Sequence, residues 1–163
     1  MSVSLQLSDK APEFTAVAVG GKYGDGQSIS LRDFHGKMVV LYFYPKNDTP
    51  GCTTQACALR DKWQHFTDSG AEVFGISINT PESHKDFIKK YDLPFALISD
   101  PDHKIIESFG LWVEKSLYGK KYMGTERSTY VISPDGRIKS IFQRVKPDDH
   151  AEQVLEDLRK FEP

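Results

Sequence analysis

Residues 38–67 read MVVLYFYPKNDTPGCTTQACALRDKWQHFT, and this stretch decides the fold. Its first seven residues are aliphatic and aromatic without polar alternation, which is typical of a strand covered on both faces. Pro45 ends the run, and residues 46–51 are all turn formers. From about Cys52 to Thr67 the apolar residues recur at helical spacing; they are Ala56, Leu59, Trp63 and Phe66. The sequence therefore predicts a buried strand that passes through a short turn into a helix.

Strands and helices continue to alternate along the chain. We predict strands at 72–79, 95–100, 127–133 and 137–143, helices at 80–91, 102–110 and 148–161, and an extended loop at 111–126. The last helix has one apolar face, formed by Ala151, Val154, Leu155, Leu158 and Phe161. The glycine-rich segment 20–28 lacks the Gly-Lys-Ser/Thr ending of a phosphate loop. We therefore predict a hairpin there, with Asp25-Gly26 at its bend.

These elements predict an α/β fold. The first two core strands are joined through a helix, so we expect them to be parallel with a right-handed crossover. Pro134-Asp135-Gly136 indicates a hairpin, which makes the sheet mixed. The expected architecture is a single thioredoxin-like domain over residues 1–163, with three layers and a mixed central sheet flanked by helices.

Composition narrows the class of protein. The chain has 163 residues with a formal net charge of −2, which gives no electrostatic reason to expect a nucleic acid or an acidic membrane as partner. Two cysteines are too few for a disulfide-built secreted scaffold. No apolar run is long enough to span a membrane, and the first residues resemble neither a signal nor a transit peptide. We expect a reducing, cytoplasmic environment.

Cys52 is the first candidate for chemistry. It lies in the first turn of the predicted helix, close to unpaired backbone N–H groups and to the positive end of the helix dipole, and both favour the thiolate over the thiol. It also follows the carboxyl end of a strand, where open α/β sheets place their sites. Because it lies on the apolar stripe, four residues before Ala56, its side chain should face inward.

Cys57 is placed differently. Five residues along an intact helix turn the side chain by about 140° relative to Cys52 and separate the two Cα atoms by about 8.6 Å. A disulfide needs about 4.4–6.8 Å. If the two thiols react with each other, the first turns of the helix must therefore melt.

Other interpretations of these residues remain open. A buried cysteine is often inert packing. A zinc site needs four ligands, and the histidines show no paired spacing, so we expect ordinary surface or partly buried residues at His35, His65, His84, His103 and His150. Thr49 is a candidate helix cap.

The residues around Cys52 resemble a motif of a known family. Pro45, Thr49 and Cys52 form P-x-x-x-T-x-x-C, and Arg127 begins RSTYVIS downstream, as in the peroxiredoxins. The run TPGCTTQACALRD resembles the Q-type subfamily, also called bacterioferritin comigratory protein. The likeness extends to APEFTA, to GISINTPESHKDFIKKYDLPFALISDPDH and to GTERSTYVISPDGRI, and so covers roughly residues 8–160.

The resemblance implies a thiol peroxidase. Cys52 would be the peroxidatic thiolate, which attacks a hydroperoxide and becomes a sulfenic acid. Arg127, the Thr49 hydroxyl and the backbone N–H of Cys52 would stabilise the charge that develops as the O–O bond breaks. Pro45 would shield the thiolate from solvent. From the residues alone, Arg127 has the alternative of a structural pairing with an acid.

The resemblance also implies how the enzyme is recycled. Cys57 would be the resolving thiol, forming an intramolecular disulfide with Cys52 that thioredoxin or a similar dithiol reductant reduces. No metal and no cofactor is implied, and the subfamily favours a monomer. Two other functions compete: a disulfide oxidoreductase, although C-x-x-x-x-C is not the usual C-x-x-C spacing, and a peroxide sensor without turnover.

Overall fold

A seven-stranded mixed sheet forms the centre of the molecule. In this computed structural model residues 5–144 and 146–160 are described. The strands of the sheet are β1 (Thr15–Val19), β2 (Gln27–Ser30), β3 (Val39–Phe43), β4 (Glu72–Ser77), β5 (Ala96–Ser99), β8 (Ser128–Ile132) and β9 (Ile138–Gln143). Their order is β2-β1-β5-β4-β3-β8-β9. The contacts β3–β4 and β4–β5 are parallel and the others are antiparallel, so the predicted mixed sheet is confirmed.

Among the described residues, five helices cover the two faces of the sheet. They are α1 (Pro50–Asp61), α2 (Trp63–Ser69), α3 (Pro81–Tyr91), α4 (Lys104–Ser108) and α5 (His150–Arg159). Buried residues of α1, α2, α3 and α5 belong to one apolar core, and those of α4 belong to the core on the opposite face. The predicted layering of helix, sheet and helix is confirmed.

Strand β3 connects the two cores and leads to the site. All five of its residues are buried, because alternate side chains enter opposite cores. Val39, Leu41 and Phe43 pack on one face, and Val40 and Tyr42 pack on the other. Each such side chain contributes roughly 1.5–3 kcal/mol of burial free energy, so the end of β3 is a rigid support for the turn that follows it.

The helix predicted from Cys52 to Thr67 is wrong in its extent. It begins at Pro50, with Thr49 as the N-cap residue and proline at the first helical position, an arrangement that suits the fixed φ of proline. It then breaks at Lys62 into α1 and α2. No proline or glycine lies at this break, so the sequence carries no local signal for it.

The extended loop predicted at 111–126 is also wrong. These residues form an antiparallel hairpin of β6 (Trp112–Leu117) and β7 (Lys120–Thr125), which is a second, two-stranded sheet. Tyr118 and Gly119 make the turn, and both have positive φ, as a tight two-residue hairpin turn requires. Tyrosine is an unusual residue at the first of these positions, so the turn has no strong sequence signature.

Other predictions agree with the structure within a few residues. β1 and β2 pair as a hairpin around residues 20–26, where a short 3-10 turn occupies Gly21–Tyr23. The apolar residues predicted for α5 are buried as far as Leu158, whereas Phe161 lies outside the described residues. Within the described part of the chain, no helix is long and apolar enough to cross a membrane.

Candidate active site

The site lies where β3 passes into α1. The chain turns between Pro45 and Thr49, and Cys52 is the third residue of α1. Among the described residues, helical hydrogen bonding begins at Thr53, whose backbone N–H donates to the carbonyl oxygen of Thr49 at 2.8 Å. Cys52 therefore lies in the first turn, where helix N–H groups are free and the dipole is positive. Its side chain faces inward, as predicted, and only 2% of it is exposed.

Arg127 reaches Cys52 from the other side. It lies between β7 and β8, and its Nη2 is 3.3 Å from Cys52 Sγ. Its Nη1 donates to Gln55 Oε1 at 2.5 Å. Because the guanidinium presents its donors as a rigid fork, these two contacts fix the direction in which the fork points. Residues 75 positions apart in the sequence thus meet at one sulfur atom.

Gly51 makes room for this contact. A Cβ atom at position 51 would lie 3.1 Å from Arg127 Nη2 and 3.5 Å from Pro147 Cγ. The first of these separations is tighter than ordinary van der Waals contact. The absence of a side chain at Gly51 therefore lets the guanidinium lie against the start of α1.

Within the part of the chain that the structure describes, no carboxylate pairs with the guanidinium of Arg127. Among the ion pairs of the described residues none includes Arg127, and its neighbour Glu126 pairs with Arg144 at 3.1 Å. The structural pairing with an acid that the sequence left open is therefore not found there. Burial, reinforced by Arg127, lowers the pKa of His150 to about 3, and the same two causes lower the pKa of Lys115. Arg127 therefore brings a positive charge to the side of the site where Cys52 Sγ lies.

Thr49 does not cap the helix with its side chain. It is the N-cap residue of α1, but its Oγ1 donates to Lys46 O at 3.0 Å and no side-chain cap bond forms. The predicted cap position of Thr49 is confirmed, but its side chain does not supply the bond by which a threonine usually caps a helix. Because the hydroxyl hydrogen is engaged, the oxygen lone pairs are left to accept. Pro45 is half-buried at the opposite end of the same turn.

Cys57 is half-buried on the same helix, and both cysteines are free thiols. Since α1 is unbroken from Pro50 to Asp61, ideal helix geometry puts the two Cα atoms about 8.6 Å apart. The structure thus brings Cys52 and Arg127 into contact, while the intact helix keeps Cys57 beyond disulfide distance of Cys52.

Three polar residues of the site region were not among the predicted ones. Gln55 lies three residues after Cys52, a spacing that places both on one helix face and was a usable signal. Asn47 and His84 hydrogen bond to each other at 3.0 Å. His84 and His150 are fully buried, so the expectation of surface or partly buried histidines is wrong for these two. Each has found a polar partner inside the fold, which a single sequence does not reveal.

Comparison with known proteins places this geometry in a family. Residues 7–141 match the AhpC/TSA family. The chain belongs to this family. The peroxiredoxin Bcp of Escherichia coli K12 is 42% identical over 156 residues, which are 96% of this chain and 97% of that protein. The peroxiredoxin Bcp of Bacillus subtilis is 40% identical over 157 residues, with the same coverage.

A solved structure agrees with these relatives. The bacterioferritin comigratory protein of Xanthomonas campestris, described for its alkyl peroxide reduction activity, aligns with a TM-score of 0.82 at 34% identity over 90% of each chain. The predicted membership of the peroxiredoxins and the predicted thioredoxin-like fold are confirmed. In this peroxiredoxin, the contact between Cys52 and Arg127 lies within the part of the chain that the family shares.

Proposed function

We propose that this peroxiredoxin reduces hydrogen peroxide and organic hydroperoxides through Cys52. The observation that carries the proposal is the 3.3 Å contact between Arg127 Nη2 and Cys52 Sγ at the start of α1. A guanidinium and a helix N-terminus both favour the thiolate, which is the nucleophilic form of cysteine. The membership of the family and the alkyl peroxide reduction activity described for the Xanthomonas campestris protein support the same reaction.

In the first step the Cys52 thiolate attacks the terminal oxygen of the hydroperoxide. A sulfur–oxygen bond forms, the O–O bond breaks, and an alkoxide or hydroxide leaves and takes up a proton. Cys52 is oxidised to a sulfenic acid, and the peroxide is reduced to an alcohol or water. Arg127 and the backbone N–H of Cys52 stabilise the negative charge as it moves from sulfur to oxygen.

Thr49 and Pro45 complete this part of the site. The hydroxyl hydrogen of Thr49 is committed to Lys46 O, so its oxygen is placed to accept the O–H of an incoming hydroperoxide. That contact would orient the peroxide for attack. Pro45, with no N–H of its own, limits the access of water to the thiolate.

In the second step the Cys57 thiol condenses with the sulfenic acid. A Cys52–Cys57 disulfide forms and one water leaves. Because an intact α1 holds the two sulfur atoms on different sides of the helix, its first turns must unwind before this bond forms. A dithiol protein, which we take to be thioredoxin, then reduces the disulfide by exchange and is itself oxidised.

We also propose that the enzyme works as a monomer in the cytoplasm. An intramolecular disulfide needs no second copy, and the cytoplasm supplies the reduced dithiol that recycles it. Sedimentation equilibrium of the reduced protein checks the first point. A mass of 18.4 kDa is expected, and a dimer mass would contradict it.

Intact mass before and after one equivalent of peroxide tests the chemistry, with Cys52→Ser and Cys57→Ser as matched variants. The wild type should lose two hydrogens as the disulfide forms. Cys57→Ser should gain one oxygen and stop, and Cys52→Ser should not react. Steady peroxide consumption with thioredoxin, its reductase and NADPH should require both cysteines. Rapid thioredoxin-driven turnover in Cys57→Ser would contradict the resolving role, and reaction of Cys52→Ser would remove Cys52 from the first step.

A further inference from the structure

Asn47, in the turn between β3 and α1, uses every hydrogen-bonding group of its side chain. Its Oδ1 accepts from Tyr44 OH at 2.6 Å. Its Nδ2 contacts Ser83 Oγ at 3.1 Å and His84 Nδ1 at 3.0 Å. A surface turn seldom holds one side chain by so many contacts, since loops usually hydrogen bond to water. Asn47 therefore fixes the turn to the first part of α3.

The direction of the contact with His84 follows from the other ring nitrogen. His84 Nε2 lies 3.0 Å from the carbonyl oxygen of Ile98, which can only accept, so Nε2 carries the hydrogen. In the neutral ring Nδ1 is then an acceptor, and it receives a hydrogen from Asn47 Nδ2. Burial holds the ring neutral, because it lowers the pKa of His84 to about 4. The hydrogen bonds thus run in one direction: Asn47 in the turn donates to His84 in α3, and His84 donates to Ile98 in β5.

This series of hydrogen bonds leads to Thr49 through the backbone of Asn47. The backbone N–H of Asn47 donates to Asn79 Oδ1 at 3.0 Å. That N–H belongs to the same planar peptide unit as the carbonyl of Lys46, so fixing the one fixes the direction of the other. The Lys46 carbonyl is the group that accepts the Thr49 hydroxyl hydrogen. The orientation of the Thr49 lone pairs therefore depends on how Asn47 is held, by Asn79 at its backbone and by His84 at its side chain.

We propose that Asn47 and His84 are a positioning pair for the peroxide step, which they support by orienting the Thr49 hydroxyl through the Lys46 carbonyl. The inference rests on the proposed attack of Cys52 on a hydroperoxide. Both act at a remove from Cys52: the side-chain hydrogen bonds of Asn47 go to Tyr44 and α3, and those of His84 go to Asn47 and Ile98. A misdirected orienting group of this kind costs rate, since reaction depends on near-attack geometry.

Two substitutions of His84 separate positioning from stability. In His84→Asn the amide oxygen replaces Nδ1, so the acceptor for Asn47 remains and the bond to Ile98 is lost. In His84→Gln the amide nitrogen replaces Nε2, so the bond to Ile98 remains and the acceptor for Asn47 is lost. The rate constant for sulfenic acid formation, measured by stopped-flow with hydrogen peroxide, should fall about tenfold in His84→Gln and stay within about threefold in His84→Asn.

Two further variants complete the experiment. Tyr130→Phe removes a buried hydrogen bond to Phe109 O on the other face of the sheet, and it should leave the rate unchanged at a comparable loss of melting temperature. In a Thr49→Val background, His84→Gln should slow the reaction little further, because the path ends at the missing hydroxyl. If wild-type Cys52 is not oxidised, the proposed function fails. If it is oxidised, equal rates in the two His84 variants, or a full tenfold effect without the Thr49 hydroxyl, overturn the positioning pair.

Discussion

At the scale of single residues, the site depends on a planar cation held in one orientation. Arg127 contacts Cys52 Sγ with one terminal nitrogen and Gln55 Oε1 with the other. A lysine would carry the same charge, but it lacks the fork that makes both contacts at once. The shape of the guanidinium therefore matters in addition to its charge.

We expect Arg127→Lys to lower the rate of peroxide reduction about a hundredfold, which is typical for the loss of a donor aimed at developing charge. Arg127→Ala should lower it at least as far. Stopped-flow oxidation of Cys52 by hydrogen peroxide measures both. Circular dichroism of the variants should match the wild type, and an unchanged oxidation rate in either would exclude Arg127 from the step.

Gly51→Ala gives a sterically defined test of the same contact. The new Cβ would lie 3.1 Å from Arg127 Nη2, so the guanidinium must move away from Sγ or the helix must shift. We expect the peroxide rate to fall about tenfold. Alanine is a better helix former than glycine by roughly 1 kcal/mol, so the melting temperature should not fall with the rate. A fall in the melting temperature that accompanies the fall in the peroxide rate would contradict this account.

At the scale of elements, α1 has two opposing requirements. It must be folded to present Cys52 to Arg127, and its first turns must open before Cys57 can reach the sulfenic acid. The exposed Thr54 lies between the two cysteines. Its substitution can shift the folding equilibrium of this segment without touching the core.

We expect Thr54→Ala to slow disulfide formation relative to Thr54→Gly by about fivefold, because alanine stabilises a helix over glycine by roughly 1 kcal/mol. Sulfenic acid formation should be similar in both, since it uses the folded helix. Rapid-quench mass spectrometry separates the two steps. Equal rates of disulfide formation would show that unwinding does not limit it.

The elements differ in how clearly the amino-acid sequence indicates them. Strands β3 and β4 were predictable because uninterrupted apolar runs indicate burial on both faces. Hairpin β6–β7 was missed because its strands are largely exposed and its Tyr118-Gly119 turn lacks the usual asparagine or aspartate. Cys52, Thr49 and Arg127 were accessible from a spaced motif. Asn47 and His84 were not, because their pairing depends on how α3 packs on the turn.

At the scale of the whole molecule, two buried histidines make stability depend on pH. Burial lowers the pKa of His84 to about 4 and that of His150, with Arg127 as a second cause, to about 3. In the unfolded chain both titrate near their ordinary value of about 6.5. Below that pH the unfolded chain binds protons that the folded protein does not, so the free energy of unfolding falls as the pH drops.

Between pH 8 and pH 5 the two histidines should together lower the free energy of urea unfolding by about 4 kcal/mol, with about half from each. His84→Gln should reduce the difference by about half, whatever its stability at pH 8. Buried Asp100 opposes the trend, because burial raises its pKa and its protonation favours the folded state. A difference that is the same in His84→Gln and wild type would show that His84 is not the source.

The central position of β3 has a consequence for how the backbone exchanges with solvent. Its neighbours β4 and β8 bind it on both sides, and each of its five side chains is buried. In heavy water its amide hydrogens should survive until the entire fold opens. The first turns of α1 should take up deuterium far sooner. A single hydrogen–deuterium exchange time course should therefore show Cys52 in a fast-exchanging segment that directly follows the slowest-exchanging strand of the sheet.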